Sequence, residues 1–412
     1  MNRSPSGNRF GRQYRTDAEM AGPGFFVRHP AICFALAALA VVALLGVSPK
    51  AYAASMTEEE LGQALFFDVN LSKNRTQACA TCHDPESGFA DGRENASGGA
   101  FSLGDDGTSL GDRNAPTASY AAFTPPFGKT REGVYVGGLF HDGRAATLAD
   151  QAGGPPLNAV EMGMPDKAAV VSRIRENDAY VEAFQAHFGR QVFEDDDTAY
   201  AAMTRAIQAF EQGAEFAPFD SKYDRALRGE YKMTPMEDLG MTLFFSNQFT
   251  NCNRCHQLKR FGGSEGETFA NYEYHNIGVP SNVAARAANG VAPDHRDEGL
   301  FANPAVDDPA QKGKFKTITL RNVAVTGPYM HNGVFRELDT VIRFYNKYNA
   351  PFPGRLKNPE TGEPWREAEV PENLSLEDLK QGDFLDEKRI KALVAFLKTL
   401  TDQRYEHLLE AE

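Results

Sequence analysis

The sequence predicts a mainly α-helical, loop-rich chain made of two similar halves. Three observations carry that expectation. The chain has 412 residues, too many for one small domain and comfortable for two. It holds 37 glycines and 23 prolines, more punctuation than a regular helical bundle tolerates. One arrangement also occurs twice: a short amphipathic helix ending in a phenylalanine pair, followed by a Cys-x-x-Cys-His motif.

The first 53 residues read as an export signal. Arg3, Arg9, Arg12, Arg15 and Arg28 form a basic leader, Ala31 to Val47 is an apolar run, and Ala51-Tyr52-Ala53 places small residues where a signal peptidase cuts. The alternative is a retained anchor, and this run is at the short limit for a spanning helix. No paired arginines indicate the route taken by folded proteins. Cleavage near Ala53 removes Cys33 and leaves four cysteines, all in the two motifs. It also removes six basic and two acidic residues, taking the formal charge from −13 to about −17. Such a surface is unsuited to nucleic acid or anionic lipid and favours a basic partner. No other apolar stretch is long enough to span a bilayer, so the mature chain is expected to be free of the membrane.

The repeat orders the rest of the chain. Thr57 to Phe67 and Pro235 to Phe245 are the two opening helices; Cys79 follows Phe67 by 12 residues and Cys252 follows Phe245 by 7. This is one unit used twice, not a short-period solenoid. Ala168 to Ala214 carries helical patterning and closes the first half, which places a boundary near Gly229. Leu376 to Leu400 is expected to be helical, with Ile390, Leu393, Phe396 and Leu397 at helical spacing. Asn349 to Glu372, rich in proline, glycine and charge, is expected to be a surface loop.

Cys79-Ala80-Thr81-Cys82-His83 and Cys252-Asn253-Arg254-Cys255-His256 match the haem-attachment pattern. Two thiols add to the two vinyl groups on one porphyrin edge, and the adjacent imidazole then reaches the iron. A zinc ribbon needs its hooks close together, and these lie 173 residues apart. A thioredoxin-like redox pair needs a βαβ setting, which neither motif has. The expectation is therefore two covalent haem c groups in two cytochrome c-like domains, residues 54–229 and 230–412, in the periplasm. Attachment of haem after export also suits a chain exported unfolded.

Further motifs resemble one family, the bacterial di-haem cytochrome c peroxidases and the related methylamine-utilisation maturases. They are Arg113-Asn114-Ala115-Pro116-Thr117, Asp142-Gly143-Arg144-Ala145, Gln151-Ala152, Glu161-Met162, Leu320-Arg321-Asn322 and Pro328-Tyr329-Met330-His331-Asn332-Gly333, and they span nearly all of the mature chain. The resemblance implies that the N-terminal haem, held by His83, is catalytic. Glu161 falls at the family's acid–base position, with Gln151 and Pro155 lining the same pocket. A carboxylate there can move a proton from the inner to the outer oxygen of peroxide and make water the leaving group. Taken alone, Glu161 is one acidic residue among 56.

Many relatives cap the catalytic iron with a histidine from a loop that here is Asp84 to Asp112. This loop contains no histidine, which implies an iron that stays open. For the second haem, held by His256, the peroxidases carry a methionine fourteen residues after the Pro-Tyr-x-His histidine; here that position is Tyr345. The maturases carry tyrosine there as axial ligand, and phenolate ligation would lower the haem potential and suit a store of oxidising equivalents. Leu338, Val341, Ile342 and Tyr345 also share one helical face, so a core tyrosine is the plain alternative, and Met330 and His331 are competing ligands. Asn114, Thr326 and Pro328 match the family's calcium site between the haems, where carbonyl and amide oxygens suit a hard ion.

Two departures stand out. His141 occupies the place of the family's bridging tryptophan. Imidazole is much harder to oxidise than indole, so a role in proton transfer, propionate binding, iron binding or structure replaces the electron relay. Thr250 stands where the maturases use a surface tryptophan to reach a protein substrate, and the single tryptophan, Trp365, lies in the proline-rich loop. The expected function is reduction of hydrogen peroxide with electrons from a small c-type cytochrome or cupredoxin. Two rivals stand beside it: a maturase-like enzyme that oxidises side chains of a protein substrate, and a di-haem electron carrier with both irons closed.

Overall fold

A computed structural model describes residues 56–410, so the expected export signal lies outside the described residues. Helices and short 3-10 turns dominate, as expected. The only paired strands among the described residues are two-residue antiparallel ribbons: Gly128–Lys129 with Tyr135–Val136, and Tyr274–His275 with Phe315–Lys316. The described residues belong to one compact unit, Ala54–Glu412. Within it the apolar side chains gather into two main cores, one drawn from Leu61 to Phe216 and the other from Tyr223 to Leu400.

Each core starts with an opening helix crossed by a closing helix. The opening helices are Glu58–Phe66 and Pro235–Phe244. Each begins with a capping box, Thr57 with Glu60 and Thr234 with Glu237, in which the hydroxyl accepts from the third backbone N–H and the carboxylate accepts from the cap N–H. The closing helices are Asp196–Glu211 and Glu387–Lys398. A glycine sits at each crossing because nothing larger fits. A Cβ on Gly62 would lie 1.9 Å from the Ala206 carbonyl oxygen, and a Cβ on Gly240 would lie 1.9 Å from that of Ala392. The first phenylalanine of each pair, Phe66 or Phe244, is buried, and each packs edge-on against a closing-helix ring, Phe210 at 5.4 Å or, tilted, Phe396 at 5.1 Å.

The patterned stretch Ala168 to Ala214 contains three helices, Lys167–Ile174, Asp178–Phe188 and Asp196–Glu211. Leu376 to Leu400, expected as one helix, is broken. A short turn at Leu376–Leu379 is separated from Glu387–Lys398, because Gly382 interrupts it and Asp386 caps a new start by accepting from Arg389 N–H. The proline-rich tract is mostly exposed, but Trp365 packs inward from it.

The repeat reaches further than the sequence indicated. Thr117 Oγ1 donates to the Gly88 carbonyl at 2.6 Å, and Thr319 Oγ1 donates to the Thr268 carbonyl at 2.7 Å. Two residues on, Ser119 and Arg321 return backbone N–H bonds to those hydroxyls. The next residues, Tyr120 and Asn322, are both left-handed and both lead into a 3-10 turn. One carboxylate ties the two copies: Asp402 accepts from Tyr120 OH at 2.6 Å and from Asn322 Nδ2 at 2.8 Å.

Candidate functional site

Both Cys-x-x-Cys-His segments form tight turns a short way beyond their opening helix. In each, the histidine N–H closes the turn on the carbonyl of the first cysteine at 2.9 Å. Each imidazole then points Nδ1 at a backbone carbonyl, His83 at Phe89 and His256 at Phe269, both at 3.3 Å. Phe89 and Phe269 are fully buried and left-handed, with φ of 54° and 56°. That conformation, costly for an aromatic residue, turns the carbonyl towards the ring. With Nδ1 as donor, Nε2 keeps its lone pair, the form that binds a metal. Burial lowers the proton affinity of both histidines, that of His256 to about 4, so both are neutral at pH 7. The four thiols are neutral for the same reason, with Cys79 pushed up to about 12 by burial and then by Glu211.

The surroundings of the second motif fit a haem. A cavity of about 300 Å³ is lined by Cys252, Cys255 and His256 together with apolar groups such as Val279, Ile342 and Leu393. Tyr345 lies on its wall, carried by the helix Leu338–Asn346. Burial raises the affinity of its phenol for its proton, and the Cys255 and Cys252 sulfurs raise it further. The competitors Met330 and His331 line the same cavity. His331 stacks on Phe315 at 3.5 Å and feels Asp297, His141 and Arg113 rather than the thiols, and Met330 is left-handed beside it.

Further along the first half the helix Leu148–Ala152, which carries Gln151, stops after five residues. Gly153-Gly154-Pro155-Pro156 follows, and proline cannot continue the backbone ladder. The chain folds into a tight loop in which the Pro155 carbonyl accepts from Asn158 and Met162, both at 3.2 Å. This places Pro155 beside Glu161, one turn beyond Gln151. Asn158 Nδ2 donates to Glu161 Oε1 at 2.9 Å. Burial raises the affinity of Glu161 for its proton; Asn158 and Arg144 oppose the shift and Asp112 adds to it. Its charge acts on both Cys79 and Cys82. The histidine-free loop is anchored here too, with Asp105 N–H donating to the Glu161 carbonyl at 2.7 Å.

Between the halves, Asn114, Thr326 and Pro328 line the cavity with His141. His141 is buried, and its Nε2 meets the Asn114 carbonyl at 2.9 Å. Burial, with Arg113, pushes its proton affinity down to about 4, so it is neutral. Arg113 joins the halves by pairing with Asp142 at 2.6 Å and Asp297 at 2.7 Å. Thr250 is not presented outward as a relay; its hydroxyl donates to the Leu243 carbonyl. Sequence reasoning missed the Phe89 and Phe269 carbonyls and the buried Glu211, whose Oε2 has no partner. Only the helical register against the second half, where Leu397 occupies the same place, would have singled out Glu211.

A mainly helical chain with two matched Cys-x-x-Cys-His turns and neutral, carbonyl-held imidazoles has the build of a di-haem c-type cytochrome. Residues 56–232 match the di-haem cytochrome c peroxidase family. The chain is 54% identical to the methylamine utilization protein MauG of Paracoccus denitrificans over 91% of this chain and 97% of that protein. It is 31% identical to the cytochrome c551 peroxidase of Pseudomonas aeruginosa over 70% and 71% of the two chains. Among solved structures, the diheme peroxidase BthA of Burkholderia thailandensis superposes with a TM-score of 0.74 at 32% identity, covering 84% of this chain and 86% of that one. The chain belongs to the di-haem cytochrome c peroxidase and MauG family, and it is an oxidoreductase of that type.

Proposed function

We propose that this protein reduces hydrogen peroxide at a haem attached through Cys79 and Cys82 and ligated by His83. A second haem, attached through Cys252 and Cys255 and held by His256 and Tyr345, relays electrons to it. The division into cytochrome c-like domains at residues 54–229 and 230–412 belongs to this reading, as do a calcium ion at Asn114, Thr326 and Pro328, an N-terminal export signal and a periplasmic location. No helix among the described residues is long and apolar enough to cross a membrane. The haems supply the redox chemistry. The chain supplies proton management, and the observation that carries the reading is Glu161: a carboxyl that burial inclines to hold its proton, steadied by Asn158, within electrostatic reach of both first-motif thiols. It takes a proton from the inner peroxide oxygen and returns it to the outer one, while Gln151 and Pro155 shape the pocket.

The electron donor in this reading is a small c-type cytochrome or cupredoxin with a basic face. Peroxide-dependent oxidation of a protein substrate is the second reading, favoured by the 54% identity to MauG and weakened by Thr250 and His141 in the relay positions. Glu161→Gln tests the acid–base role. Peroxide turnover should fall by roughly 10²–10⁴ with the second haem's spectrum unaltered. Turnover that survives the change would remove Glu161 from the mechanism.

A further inference from the structure

Trp365 is the only tryptophan of the chain, and the proposed reaction leaves it without a task. Its ring packs edge-on against Phe335 at 5.8 Å and Phe344 at 5.7 Å. Phe344 is fully buried and in turn meets Tyr345 at 5.9 Å and Tyr348 at 6.1 Å, both edge-on. Tyr345 faces the cavity that holds Cys252, Cys255 and His256, whereas Trp365 is half-buried between the exposed Pro364 and Arg366. A continuous column of rings therefore runs from the wall of the second-motif cavity to the surface.

Indole and phenol are the most readily oxidised side chains in this column, and a phenylalanine in van der Waals contact with both keeps the gap between them short. The two positions where relatives place tryptophans hold His141 and Thr250, neither of which can serve. We propose that Trp365 is the surface residue at which oxidising equivalents leave the second haem, through Tyr345 and Phe344, and meet the reductant. This rests on the reading of Tyr345 as an axial ligand.

The electrons balance as follows. Trp365 passes one electron inward and releases its indole proton to water. A one-electron donor docked at the loop restores the electron, and water restores the proton. Two such rounds, with two further protons, convert one hydrogen peroxide into two waters. Lys347 shapes the step: its ammonium lies 4.0 Å from the Phe344 ring centroid and 5.7 Å from that of Trp365. A cation so close disfavours a positively charged indole and favours loss of the N–H proton, giving a neutral radical.

The test treats the holoprotein with excess peroxide and no reductant, then maps oxygen incorporation by mass spectrometry. Trp365 should carry one or two added oxygen atoms. In Trp365→Phe, return of the peroxide-oxidised protein to its resting absorbance should slow roughly tenfold, and Trp365→Tyr should restore the rate in part. Tyr345→Phe, read by its resting electron paramagnetic resonance spectrum, separates the two claims. An unchanged low-spin signal would remove Tyr345 as ligand and the proposed route with it. A changed signal, with Trp365 unmodified and the Trp365→Phe decay rate unaltered, would overturn the route while leaving the ligand reading intact.

Discussion

The two halves agree on the near side of each haem motif and part company on the far side. Both use the same cap, the same glycine at the helix crossing, the same 3.3 Å bond from imidazole to a left-handed phenylalanine carbonyl and the same threonine brace. Beyond the motif, the first half has a five-residue helix stopped by Gly153-Gly154-Pro155-Pro156, and a loop carries Glu161. The second has an uninterrupted nine-residue helix that presents Tyr345. One scaffold thus carries the two Cys-x-x-Cys-His turns in the same way, while a change in the length of one helix goes with a carboxyl, Glu161, in one half and a phenol, Tyr345, in the other.

Six substitutions break or sharpen that comparison. Glu161→Gln carries the largest effect, the loss of turnover described above. Next is Asp224→Ala. Arg321 is fully buried against Asp224, whereas the matching place in the first half is the small, neutral Ser119. Removing the carboxylate strands a buried cation and should cost about 3–5 kcal/mol, seen as a lower denaturant midpoint; Ser119→Ala should cost far less. Gly62→Ala and Gly240→Ala should each destabilise by about 3 kcal/mol, because overpacking against a backbone carbonyl outweighs the gain in helix propensity. Unequal losses would show that the two crossings are not equivalent.

The smallest effect is at Glu211, which lies where the second half has Leu397. Burial pushes its carboxyl up from 4.5 to about 8, so the folded protein holds this proton more tightly than the unfolded chain does. The resulting stability is complete below 4.5 and is lost as pH rises through about 8. Glu211→Leu should therefore stabilise by about 1–3 kcal/mol, more at alkaline than at acid pH in paired melts. Equal gains at both would mean that the carboxyl is not neutral in the fold.

What could be read in advance follows from where each signal resides. The Cys-x-x-Cys-His spacing, the opening helices with their phenylalanine pairs and the helical run from Ala168 are local patterns, and each is present in the fold. The expectations for Tyr345 and Glu161 came from neighbouring motifs, which fix their register. The Phe89 and Phe269 carbonyls were not, since they are backbone groups lying six and thirteen residues after their histidines and no side-chain pattern marks them. Asp402 was equally hidden, because its role exists only when Tyr120 and Asn322 arrive from distant segments. The break at Gly382 was visible as a glycine, but the helical spacing beyond it extended the expected helix too far back.

The most direct test of one closed and one open centre is the electron paramagnetic resonance spectrum of the resting ferric protein, before and after one equivalent of peroxide. The far-side difference predicts one high-spin and one low-spin signal, both lost when peroxide is added. Two low-spin signals indifferent to peroxide would mean that both irons are capped, and the contrast between Glu161 and Tyr345 would then not be what divides the halves.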